Sequence, residues 1–183
     1  MLIVAMIAVA AAAAPLESAT LPLPPELRAT ASIVAVSKTG EPTTLRPGSG
    51  RMVCTADWPD DDVFDARCYD RDFIPYLYRS MQLIARGVPG DQVDSRIQQE
   101  MKSGTFHMTM KPTAGYRMSG PITSLVDNGT AWTKEMSRWQ SIHIPMATAE
   151  SLGLTTKNEP PMPYVMSSGE LWAHVMINSP AGD

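Results

Sequence analysis

The most regular hydrophobic pattern in the chain runs from Asp72 to Gly87, where Ile74, Leu77, Met81 and Ile84 recur at spacings of three and four. That spacing puts the four on one face of an α-helix, with Asp72 as a candidate N-cap, Pro75 in the first turn and Gly87 as the stop. After the turn VPGD, a narrower stripe of Val93, Ile97 and Met101 predicts a second, surface helix between Asp91, a candidate N-cap, and Gly104. The two make a helical hairpin.

On either side of this hairpin the period shortens. SIVAVS (32–37) is rich in β-branched residues, KTGEPTT interrupts it, and TTLRPGSGRMVCT resumes the pattern as far as Cys54. Beyond the helices, FHMTMK, GYRMSG, WQSIHIPM, PPMPYVMS and ELWAHVMI are short apolar segments punctuated by Gly, Pro and Asn-Gly, with TAESLG as one capped helical turn. Strands, two helices and strands again predict an α+β fold: an antiparallel sheet of short strands with the two-helix hairpin packed on one face.

The ends read differently. Residues 1–14 are uncharged and finish in small residues, and fourteen residues of helix reach roughly 21 Å, short of a hydrocarbon core of roughly 30 Å. This fits the apolar region of a signal peptide cleaved near Ala11-Ala12-Ala13, although the first basic residue is Arg28. Residues 15–27 are proline-rich and aperiodic, as an extended linker would be. A single domain is then expected over 28–178, with a short tail at 179–183 and no transmembrane span in the mature form.

Of the 183 residues, 44% are hydrophobic and 19% charged, which is a globular composition. The net charge of −4, with no Lys/Arg block, gives no electrostatic reason to bind nucleic acid. The two cysteines, Cys54 and Cys68, behind an export signal predict one disulfide. Seven aspartates fall between Asp57 and Asp72, but the stretch lacks the glycine and glutamate of a calcium loop, so a solvated acidic loop is expected.

Thirteen methionines are unusually many, and each of the three histidines has one within three residues. Alternation decides which can cooperate. In FHMTMK, Phe106, Met108 and Met110 share one face and His107 the other. In SIHIPM, Ile142, Ile144 and Met146 oppose His143. Only LWAHVMI places a histidine and a methionine, His174 and Met176, on the same face with Trp172. Imidazole and thioether suit Cu(I), so His174 and Met176 form the candidate metal pair, with His143 or His107 as a possible third ligand. Methionine also lines adaptable apolar pockets, which brings in a small hydrophobic ligand.

Enzyme signatures are absent: the chain has no G-x-S-x-G, S-x-x-K, H-E-x-x-H, P-loop or G-x-G-x-x-G, and it implies no cofactor. Taken together, LRPGSGRMVC, IHIPMATAESLGL and PYVMSSGELWAHVMI resemble a family of small exported bacterial proteins with no assigned activity, over Leu45 to Ile177. The proline near His143 follows it, as Pro145, where family members place it before. The resemblance implies an export address, the periplasm of a Gram-negative bacterium, or secretion. The expected function is a non-enzymatic module for a small apolar ligand or an envelope protein. A periplasmic Cu(I)-binding protein and a hydrolase with an unrecognised site are the alternatives.

Overall fold

The computed structural model describes residues 16–56 and 62–177. The expected signal segment at 1–14 and the tail at 179–183 lie outside the described residues, as do Asp57, Asp60 and Asp61 of the acidic stretch.

Four helices and ten strands occur among the described residues. They are α1 (Pro25–Arg28), β1 (Ser32–Val36), β2 (Pro42–Arg46), β3 (Met52–Thr55), β4 (Val63–Asp70), α2 (Ile74–Ala85), α3 (Val93–Lys102), β5 (Thr113–Pro121), β6 (Leu125–Val126), β7 (Ala131–Trp132), β8 (Ser137–His143), α4 (Ala149–Leu152), β9 (Tyr164–Met166) and β10 (His174–Ile177). Eight strands join in the order β2-β1-β3-β4-β5-β8-β10-β9, while β6 and β7 form a separate ribbon. Every neighbouring pair of the large sheet is antiparallel except β1 and β3. Mixed α and β content with a mostly antiparallel sheet agrees with the sequence.

Several local expectations change. The acidic stretch is not simply a loop: from Val63 it is the central strand β4, because Phe64, Ala66 and Cys68 alternate into the interior, each 0% exposed. FHMTMK is not a strand. Thr105 and Phe106 N–H both donate to the Glu100 carbonyl, so the chain is still unwinding from α3, and β5 begins only after Pro112. Phe106 and Met108 pack against the core from this irregular segment, while His107 and Met110 are exposed. Neither expected aspartate caps a helix. Phe73 precedes α2, Asp72 N–H donates to Asp70, and Asp91 lies in a 3₁₀ turn ahead of α3.

Alternation along the strands separates two packed faces. On one face, Val34, Val36, Val53 and Tyr69 cluster with Phe73, Tyr76 and Leu83 at α2 and with Val93 and Ile97 of α3. On the other, Ile33, Met52, Cys54 and Cys68 are covered by Ala19, Leu23 and the half-buried Leu16 and Leu27. The stretch at 15–27 therefore does not behave as an extended linker over its described part. Leu16–Thr20 forms a 3₁₀ helix, and Leu21 and Leu23 are buried, because spaced apolar residues outweigh the proline content.

Cys54 and Cys68 face each other across β3 and β4 and are joined. The bond closes a segment with a sequence separation of 14. A Cys54→Ala/Cys68→Ala chain is therefore expected to lose about 3 kcal/mol in chemical denaturation, in the chain-entropy account. A loss under about 1 kcal/mol would contradict that account.

Candidate functional site

The register of β8 and β10 sets His174 directly opposite His143 and Met176 opposite Ser141. All four therefore project from the same side of the sheet, toward α2. Around the two imidazoles lies an aromatic cluster. The His143 ring is 4.3 Å from Phe73, 4.8 Å from Trp172, 5.6 Å from Tyr69 and 4.9 Å from His174, measured between centroids. Trp172 stacks on Tyr76 at 5.6 Å, which links the cluster to the helix.

His143 is 1% exposed. Its Nε2 lies 3.2 Å from Ser141 Oγ, and that hydroxyl is 3.5 Å from the Gly115 carbonyl on β5. Only glycine fits at 115, because a Cβ there would lie 2.7 Å from Ser141 Oγ and 2.9 Å from His143 Nε2. His143 Nδ1 is buried with no hydrogen-bond partner among the described residues. Burial, with the neighbouring His174 second, pushes the His143 pKa down to about 3. His174 donates Nδ1–H to the Trp172 carbonyl at 2.8 Å. Burial lowers its pKa, against the opposing effect of that bond.

Two cavities flank the cluster. The smaller, about 360 Å³, is bounded by His143, His174, Met176 and Ser141 together with Arg67 and Arg117. Both arginines bond the Asp65 carboxylate in bidentate fashion. Burial alone would raise the Asp65 pKa, but these bonds outweigh it and hold the carboxyl below its usual range. The larger cavity, about 620 Å³, lies between α2, α3 and the sheet and shares Tyr69, Trp172 and Arg67 with the first. Its apolar wall is the predicted stripe of α2: Ile74, Leu77, Met81 and Ile84. Only Ile74 of these is buried, Leu77 and Met81 are half-buried, and Ile84 is 55% exposed.

Carboxylates from Asp91, Asp94 and Glu170 stand at the edge of the larger cavity. Asp94 accepts the Tyr76 O–H at 2.5 Å and the backbone N–H of Trp172 at 3.4 Å, so one acid ties the Tyr76 phenol to the backbone that carries Trp172. Burial first, and then Asp94, raise the Tyr76 pKa, keeping the phenol protonated.

Of the candidate residues, His174, Met176 and His143 come together, whereas His107 sits exposed on the segment before β5. The opposition of Ile142 and His143 holds, and the histidine is the inward side, since Ile142 is 38% exposed. Ser141, Tyr69, Tyr76, Asp94 and the two arginines were not singled out by sequence. The run WQSIH carried one usable signal, because alternation puts Trp139 and Ser141 beside His143. Ser141 and His143 meet the distance required of a nucleophile and base, yet no group among the described residues orients Nδ1, and a ring of such low pKa is a weak base. The chain matches no family model, no curated protein and no solved structure.

Proposed function

We propose that this chain is an exported, non-enzymatic binding module that takes a small ligand, with an apolar body and a cationic end, into the cavity between α2, α3 and the sheet. One observation carries the reading: beyond Ile74, which joins the core, the apolar stripe of α2 borders an open cavity, where Leu77 and Met81 are only half-buried and Ile84 is 55% exposed. Burying such a surface against a ligand contributes about 25 cal/mol per Å² before the costs of association. Trp172, Tyr69 and Tyr76 are among the residues that line the cavity, and Asp91, Asp94 and Glu170 supply the negative charge that favours a cationic end. Arg67 and Arg117 share the single Asp65 carboxylate, so that trio leaves one positive charge against these three acids. Export is supported by the apolar pattern of 1–14, by the Cys54–Cys68 bond and by the resemblance noted above. No helix among the described residues is long and apolar enough to cross a membrane.

Calorimetric titration with octyltrimethylammonium, octanol and octanoate, each below its aggregation concentration, tests the reading. The ammonium compound is expected to bind about tenfold more tightly than octanol, and octanoate least well. Met81→Arg, which puts a charge on the apolar wall, is expected to weaken the ammonium compound by about tenfold or more. Absence of saturable binding by all three, or binding unchanged in Met81→Arg, would overturn it.

A further inference from the structure

We propose that His143, His174 and Met176 form a site for one soft monovalent cation, Cu(I), on the wall of the smaller cavity. Cross-strand register and burial set the three donors together: His174 opposite His143, Met176 two residues on from His174, all on one face and each less than a tenth exposed. The imidazole centroids are 4.9 Å apart, so a modest opening of the pair admits an ion between them. This site is independent of the apolar-ligand reading, although the two cavities share Tyr69 and Trp172.

The hydrogen bonds of both rings point the same way. His174 spends its Nδ1–H on the Trp172 carbonyl, which fixes the tautomer and leaves a lone pair on Nε2. For His143, the Cδ2–Nε2 edge faces Gly115 on β5, so Nδ1 lies on the far edge, away from that strand. With Nε2–H donated to Ser141 Oγ and the hydroxyl turned to the Gly115 carbonyl, Nδ1 also carries a lone pair. It is buried without a partner, a condition that ordinarily costs about 1–3 kcal/mol, and a bound cation satisfies it.

Charge and softness then select the ion. The donors are two imidazoles and a thioether, all neutral, and the nearby charges are Arg67, Arg117 and the Asp65 they share. A divalent ion would enter a net positive, desolvated pocket without an anionic ligand, and its Born cost rises with the square of its charge. Zn(II) also prefers a fuller tetrahedral set, whereas Cu(I) accepts few, soft donors.

The test is anaerobic titration of the full chain with Cu(I) against a chromophoric Cu(I) chelator, with Zn(II) in parallel. One Cu(I) per chain is expected to be retained, with Zn(II) held far more weakly. His174→Leu and Met176→Leu are each expected to lose affinity by about tenfold or more. Met162→Leu, at a methionine 61% exposed, should bind as the parent does. Because His143 is central to packing, its part is read without mutation, from imidazole NMR signals on adding one equivalent of Ag(I). Those of His143 and His174 should shift and those of His107 hold. Loss of Cu(I) to the chelator by the parent chain, retention unchanged in His174→Leu, or shifts at His107 instead would each overturn the proposal.

Discussion

Phe73→Ala is expected to lower the unfolding free energy by about 3–5 kcal/mol, the range seen for a fully buried phenylalanine cut to alanine. Phe73 is 0% exposed and touches Tyr69, Tyr76, His143 and Trp172, with centroid distances from 4.3 to 6.0 Å. Its ring joins α2 to the sheet, and it contacts Tyr69 and Trp172, which line both cavities. Truncation removes transfer energy and leaves a void among the surrounding rings that relaxes only partly. Chemical denaturation of the two chains measures the loss, and Phe73→Leu, which keeps most of the volume, should recover much of it. A loss for Phe73→Ala below about 1 kcal/mol would mean that the aromatic cluster is loosely packed.

Mild acid should be the second large perturbation. In the unfolded chain an imidazole takes its proton near pH 6.5, whereas His143 in the fold resists protonation until about pH 3. Below pH 6.5 the unfolded state therefore binds more protons, and stability falls as the pH falls, by about 1.4 kcal/mol per unit. The full contribution is present above pH 6.5, and about 2 kcal/mol should be lost by about pH 5. His174 is shifted in the same direction and adds to the slope. Asp65 and Glu100, whose pKa values the fold lowers from 3.8 and 4.5, contribute mainly below that window. Denaturation at several pH values between the two limits reads the slope. His143→Leu should flatten it, and an equal slope in parent and variant would assign it to another group.

Much of the fold is legible in the sequence, for reasons that also mark where legibility ends. The α2 and α3 segments stand out because helical period, turn residues and length agree. Periodicity reports which positions share a face, not what that face meets. The stripe of Ile74, Leu77, Met81 and Ile84 is real, yet only Ile74 of it joins Phe73, Tyr76 and Leu83 inside the core, and the stripe also borders a cavity. The same limit applies to β8. Alternation separates His143 from Ile142 correctly, but only the neighbouring strands decide that the imidazole is the buried side. The His174–Met176 pair is visible because both lie on one strand. Its meeting with His143 depends on β10 inserting between β8 and β9, a pairing no local pattern encodes. Leu21 and Leu23 were hidden by the prolines around them, since proline content speaks for an extended chain while burial depends on distant partners.

The proposed binding cavity is tested most directly by following tryptophan indole N–H signals while octyltrimethylammonium is added. Trp172 lines both cavities, Trp139 lines the smaller one alone of the two, and Trp132 packs with Leu21 and Met118 on the other face of the sheet. Binding between α2, α3 and the sheet predicts a saturable shift of Trp172 that Met81→Arg abolishes, with Trp132 unmoved. A Trp172 signal that stays in place at saturating ligand, or that moves together with Trp132, would contradict it.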